Sequence, residues 1–299
     1  MTSQLISVNP SKTLIPIEEL IRLAEQDLEK SRRQGIKDRN KKPEPQIVTP
    51  TPQFTPTDLE YQFLTGDFGR DIDAGIQIDY QDIPAIQVVR YNSEKGVVVG
   101  SNPFYVVAVN RLLRVHHPEF RTATQGELEK VFQQGILPIK DTFYEDSALV
   151  LRSLEDPNSY LANNLAQQLI AKGFNQVSPQ KPLVVWLNQL DIEKDEGSPH
   201  KLSFKLTDET SPFYVPILSS TSGSKFDESN LDSNGFPKSV GNGTRNLWTR
   251  DSGLSRVCLS GGGNLGSNVS YLSDSDDCGR VVLAKPRSGG AMQNLGGNQ

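Results

Sequence analysis

The sequence predicts an α+β domain carried behind an N-terminal amphipathic helix and a proline-rich linker. Three observations predict it. Apolar residues recur at helical spacing near the N-terminus, five prolines fall between positions 43 and 56, and mixed helix and strand signals after residue 60 give way to strands and turns beyond Phe204.

In residues 15–34, Ile17, Leu20, Ile21, Ala24 and Leu28 share one helical face, with Pro16 suited to a first turn and Gly35 to a stop. Such a helix serves oligomerisation or partner docking, or packs on its own domain; the spacing is compatible with each. The prolines that follow disfavour helix and sheet alike and favour an extended linker. The boundaries expected are therefore a helical segment at 1–36, a linker at 37–59, a folded domain at 60–286 and a disordered tail at 287–299.

Within the domain, alternating stretches at 73–79 and 84–91 and the VVVG run at 97–100 read as strands. Helices are expected at 103–115 and from Thr124 to Gln134, the second opened by a capping box in which Thr124 and Glu127 satisfy each other's orphan amides. Asp156-Pro157 signals a third, with Leu161, Leu165, Leu169 and Ile170 on one face and Gly173 as its stop. An apolar strand at 182–190 and a charged loop to His200 come next. The remaining strand pieces are 213–218, 246–250, 255–259 and 280–284.

Composition narrows the function. A net charge of −5 and a pI near 5.4 argue against nucleic acid as a partner, because phosphate binding rests on Lys and Arg. Cys258 and Cys278 are too few for a disulfide framework and read as free thiols. The N-terminus lacks a basic region followed by an apolar run, and no 18 consecutive residues are apolar, so a cytoplasmic protein with no membrane partner is expected. Asn242-Gly-Thr244 and Asn268-Val-Ser270 match the glycosylation sequon by chance on that reading.

No motif calls for catalysis. Gly261, Gly263 and Gly266 satisfy G-x-G-x-x-G, but a dinucleotide turn must open a helix whose amides hold the pyrophosphate, and Ser/Asn/Asp-rich coil follows here. Asp274, Asp276 and Asp277 resemble part of a calcium loop, yet the EF-hand register would place Cys278 and Lys285 at ligand positions; a solvated acidic loop is the plainer reading. His116 and His117 are adjacent, so their side chains diverge, and His200 stands alone. Neither a nucleophile with a base nor a singled-out carboxylate pair is present, so no catalytic residue, metal site or cofactor is expected.

The informative stretch is 249–284. Lys, Gln, Glu, Met and Trp make up 55 of the 299 residues, but none falls in these 36 positions. Composition alone gives a run this long with a probability of about 4%. Those five residues are the ones an AAC or AAT asparagine codon cannot yield when either adenine is replaced by any base. Within 258–278, Ser, Gly, Asp and Asn supply 14 of 21 residues.

On these residues the chain resembles the variable proteins of diversity-generating retroelements. In particular SGLSRVCL, the NL pair and YLSDSDDCGRVVLAKP are similar to cyanobacterial members with a C-terminal variable repeat. The resemblance implies a C-type lectin-like fold, with the variable region at about 250–284 and an insertion at 140–212. Residues 103–135 and 217–223 resemble further framework parts, whereas the family's Gly-Gly-Ser-Trp core and terminal Gly-Phe-Arg aromatic are missing.

It further implies non-covalent binding of a protein or other ligand through Cys258, Ser260, Gly262, Asn264, Gly266, Asn268, Ser270, Tyr271, Ser273, Asp274, Asp276, Asp277 and Cys278. A site that tolerates wholesale substitution must project from a rigid frame, since misfits in a packed core cost on the order of 1–5 kcal/mol. Tyr271, the lone aromatic of the stretch, is the expected anchor; Leu254, Leu259, Leu265, Leu272 and Val281 are the expected inward framework. Competing readings are a glycan-binding or metal-dependent lectin, an enzyme on the same scaffold, and a flexible Gly/Ser loop with no selected ligand.

Overall fold

The structure, a computed structural model, describes residues 59–142, 145–219 and 223–287. The N-terminal helix, nearly all of the linker and the tail beyond Arg287 lie outside the described residues.

The first strand, β1 (Leu59–Phe63), leads into α1 (Gly66–Asp79), where the sequence suggests a strand at 73–79. The alternation misleads. Ile72 and Ile76, four apart, are buried, whereas Ile78 is 73% exposed. Asp73 is buried among them, accepting hydrogen bonds from the Tyr105 hydroxyl (2.7 Å) and the Tyr91 amide (2.7 Å). With Gly69 and Gly75 in its interior this helix has poor intrinsic propensity, and tertiary packing holds it. The 84–91 stretch likewise divides, into a short helical turn, α2 (Pro84–Gln87), and β2 (Arg90–Asn92), which pairs with β3 (Val97–Val99) in a hairpin.

The next helix, α3 (Pro103–His116), forms despite its valines because all of its first eight residues are buried and the Asn102 side chain caps the Tyr105 amide at 2.9 Å. After β4 (Arg121–Thr122), α4 (Gln125–Gln134) starts with the expected Thr124/Glu127 capping box and ends at Gly135 in the left-handed conformation. Glu127 also receives both Arg121 guanidinium nitrogens, at 2.5 and 2.7 Å.

Beyond β5 (Glu145–Leu151), α5 (Ser159–Ala171) begins two residues later than Asp156-Pro157 suggests; that peptide bond is cis and Asn158 is left-handed. Leu161, Leu165 and Leu169 are buried as expected. Ile170, one position and about 100° further round, is 54% exposed.

The single strand expected at 182–190 is interrupted by a 3₁₀ turn at 187–189, giving β6 (Leu183–Trp186) and β7 (Leu190–Lys194). β7 pairs with β8 (Leu202–Leu206), so the charged loop to His200 is half strand, with Leu190 and Ile192 inward between exposed or half-buried charges. Only two residues of 213–218 form a strand, β9 (Phe213–Tyr214). The chain closes with β10 (Ser224–Phe226), β11 (Arg245–Trp248), β12 (Leu254–Ser260), β13 (Asn264–Gly266) and β14 (Val282–Pro286).

Helix and sheet thus mix in one α+β domain. Seven strands form a sheet in the order β10-β11-β13-β12-β5-β6-β9, antiparallel except for the parallel pair β11–β13, while β1, β14 and β4 form a second sheet. The helices α3 and α5 cover Leu149, Leu151, Leu183, Val185 and Leu254 on one face of the large sheet. The other face carries Ala148, Val150, Val184, Leu247, Val257 and Leu265, packed with Phe226, Phe236 and Leu218. A third cluster joins Leu128, Val131 and Phe132 of α4 to the small sheet and Leu259. β5 and β6, which lie within 140–212, are interior strands of the large sheet. No helix among the described residues is long and apolar enough to cross a membrane.

Candidate functional site

The stretch without Lys, Gln, Glu, Met or Trp folds as β12, a glycine turn at 261–263, β13 and a long return from Ser267 to Arg280. Strand pairing sorts its side chains. Leu259 lies opposite Leu265, which lies beside Leu247, and all three are buried. On the reverse face Ser260 pairs with Asn264, whose carboxamide oxygen accepts the Asn246 amide at 2.7 Å, and Asn246 pairs with Lys225. One step along, Cys258 pairs with Gly266 and Gly266 with Trp248. Alternation therefore sets Lys225, Asn246, Trp248, Asn264 and Ser260 on one open face.

Cys258 and Gly266, both expected to contact ligand, lie beneath that face. Cys258 is fully buried, its Sγ is 3.8 Å from the Gly266 carbonyl oxygen, and burial raises its thiol pKa. A Cβ on Gly266 would stand 3.1 Å from that sulfur, so these two positions form a tight floor. The reason is positional: β12 is interior, flanked by β5 and β13, and the returning loop crosses over Arg256.

The other expected positions reach the surface. Gly262, Asn268, Tyr271, Asp274, Asp276, Asp277 and Cys278 are exposed, and Ser260, Asn264, Ser270 and Ser273 are half-buried. Tyr271 is 69% exposed. Leu254, Leu259, Leu265, Leu272 and Val281 all point inward, as framework should.

The loop that carries these residues is held by its backbone. Ser267 donates to the Trp248 carbonyl (2.7 Å), Arg256 N–H to the Val269 carbonyl (3.1 Å), and Gly100 N–H to the Gly279 carbonyl (2.8 Å). The Asn158 amide donates to the Leu254 and Ser270 carbonyls, both at 2.8 Å. Replacing Asn158 by Ala is expected to cost about 1–3 kcal/mol by orphaning two carbonyls. Hydrogen exchange should then rise at 270–273 more than in α3; uniform exchange across both would contradict this anchoring.

Charge beneath the face is fixed as well. Arg152 is fully buried and holds the Leu218 carbonyl (2.9 Å), Ser255 Oγ (2.8 Å) and both oxygens of Ser267 (2.9–3.0 Å). Arg256 donates to the Asp274 carbonyl (2.9 Å) and lies 3.5 Å from Asp146, which also accepts from Ser101 Oγ at 2.8 Å. Burial pushes Asp146 up to about 6, against the pull of Arg256 and Ser101.

The glycine turn separates two kinds of position. Both Gly262 and Gly263 have positive φ, but a Cβ at Gly262 meets only Asn264 Nδ2 at 3.9 Å, whereas one at Gly263 would overlap the Phe132 ring. We expect Gly262→Ala to cost about 1 kcal/mol and Gly263→Ala about 2–4 kcal/mol, read from urea midpoints at unchanged m-value. Equal costs would contradict the assignment of Gly262 to the surface and Gly263 to the frame.

Among the described residues no helix follows the glycine turn, so the G-x-G-x-x-G match offers no cradle of helix amides. Among the described residues no three His, Cys, Asp or Glu side chains are grouped to hold a metal ion. The His117 ring lies 5.0 Å from that of Phe68, and His200 lies 5.1 Å from Phe104, where burial lowers its pKa.

Sequence reasoning missed Lys225, Asn246 and Trp248 as members of the face. A signal existed: in Arg245-Asn-Leu-Trp248 the alternation sets buried Arg245 and Leu247 against outward Asn246 and Trp248. Comparisons with protein-family models, with curated proteins and with solved structures return no match to this chain.

Proposed function

We propose that this chain is a diversified ligand-binding protein of the retroelement type, with its variable repeat displayed on a C-type lectin-like scaffold. It recognises a protein or other ligand by non-covalent contact, with no catalytic step. The observation that carries this reading is the coincidence of two independent patterns. The 36-residue stretch holds only residues that a substituted asparagine codon can encode, and within it all the expected contact positions but Cys258 and Gly266 are exposed or half-buried while the leucines face the core.

Physical chemistry supports the combination. Hydrogen bonds fix the backbone of the loop, so substituting its exposed side chains leaves the packed core intact. Ser, Asn, Gly and Tyr are the residues with which antibody loops combine adaptable hydrogen bonding and rigid aromatic contact. The face also gains a constant centre, because Trp248 is 44% exposed and tryptophan lies outside the substituted codon set.

The test is to sequence the genomic DNA around the gene. The expected result is a near-copy of the codons for 250–285, with AAC or AAT at the Ser, Gly, Asp, Tyr and Cys positions, beside a reverse transcriptase. A locus with neither overturns the reading.

A further inference from the structure

Where the acidic end of the loop meets the β2–β3 hairpin, a cleft of about 250 Å³ is lined by Val88, Arg90, Tyr91, Asn92, Lys95, Val99 and Asp277. Both walls are fixed. On the hairpin side the Tyr91 amide is held by Asp73 (2.7 Å), and Asn92 Oδ1 accepts the Lys95 amide (2.9 Å). On the loop side, Ser101 N–H donates to Ser275 Oγ (2.9 Å) and Gly279 N–H to the Asp276 carbonyl (2.7 Å). Gly100, at φ +96°, permits that seat, because a Cβ there would overlap Ser275 Oγ.

The cleft gathers charge of both signs. Arg90 gives one guanidinium nitrogen to the Gln87 carbonyl (2.6 Å), but neither it, Lys95 nor Asp277 forms an ion pair with any described residue. The Asn92 amide nitrogen and the Tyr91 hydroxyl add polar capacity, and Val88 and Val99 add an apolar surface. A simple anion would be opposed by Asp277, and a simple cation by Arg90 and Lys95. Two positive charges and one negative around one cleft are matched by a molecule bearing two carboxylates and one ammonium, joined by a short methylene chain that can lie on the valines.

We infer that this cleft binds an acidic α-amino acid, with its carboxylates on Arg90 and Lys95 and its ammonium on Asp277. The inference goes beyond the diversified face and holds whether or not position 277 varies. If it does vary, the hairpin cations are a constant half of the cleft and residue 277 selects what accompanies the anion.

The test is calorimetric titration of the full chain with L-glutamate, compared with glutarate, which lacks the ammonium, and L-leucine, which lacks the second carboxylate. Glutamate is expected to bind at least tenfold tighter than either. Arg90→Ala and Lys95→Ala should each weaken it tenfold or more, and Asp277→Asn should abolish the preference for glutamate over glutarate, with unchanged melting temperatures. Absence of binding at 20 mM glutamate, or binding indifferent to all three substitutions, overturns the inference and leaves the genomic test of the diversified face unaffected.

Discussion

Glu129→Ala is expected to destabilise the domain by about 3–5 kcal/mol, enough to unfold much of a marginally stable population. Glu129 and Arg245 are both almost fully buried and joined by two hydrogen bonds, at 2.6 and 2.8 Å. The guanidinium is also sandwiched between Phe132 (5.0 Å) and Phe226 (4.7 Å) and donates to the Gly263 carbonyl. Burial raises the Glu129 pKa against the opposing pull of Arg245. Removing the carboxylate leaves a cation without its counter-charge in an apolar setting, and the desolvation already incurred is no longer offset.

The pair also ties α4 to the first residue of β11 and to the glycine turn, so its loss should loosen one edge of the open face. Urea denaturation of Glu129→Ala, of Arg245→Leu and of the double variant tests this. The double variant should recover at least 1 kcal/mol relative to the sum of the single losses. Strict additivity would show that the two residues act independently.

The second large effect is a fall in stability as pH rises from about 5 to 8. Glu145 is 1% exposed and its carboxyl oxygens lack a well-formed hydrogen bond. Burial pushes its pKa up to about 8 from 4.5; Thr142 and Arg280 counteract this in part and Asp146 adds to it. Between those two pH values the folded chain keeps a proton that the unfolded chain has released. The contribution of Glu145 is therefore greatest below about pH 4.5 and is lost as pH climbs to 8, on the order of 5 kcal/mol. Asp146, pushed up to about 6, acts with the same sign over a lower window.

Glu145→Gln carries no titrating proton and should flatten the slope of unfolding free energy above pH 6. It should equal or exceed the parent in stability at pH 8. A parent and variant with parallel pH profiles would show that the carboxyl is not buried in its charged form. The consequence for function is local, because Glu145 and Asp146 pair with Leu259 and Cys258, the strand that supports the proposed binding face.

Much of the domain was legible in the sequence wherever a local rule coincided with the tertiary demand. The capping box at Thr124 and Glu127 fixed the start of α4 because both partners lie within one turn. Leu161, Leu165 and Leu169 of α5 announced their burial through helical periodicity. Elsewhere local rules failed. Asp-Ile-Asp-Ala-Gly-Ile-Gln-Ile reads as alternation, but in α1 Asp73 is drawn inward by Tyr105 and Tyr91, contacts 32 and 18 residues away. The hairpin of β7 and β8 was hidden in a charged segment because its exposed face is charged and only every second residue is apolar.

The candidate face divides in the same way. By itself the sequence determined which amino acids occupy 249–284, and hence the codon pattern, the alternation of polar and leucine positions and the lone Tyr271. Only the tertiary structure decided that Cys258 and Gly266 form a floor, that Trp248, Asn246 and Lys225 join the face, and that Asp277 meets Arg90 and Lys95 across a cleft. The reason is that periodicity records which way a side chain points from its own element, whereas exposure depends on which other elements lie above it. Those neighbours are set by contacts far apart in the chain.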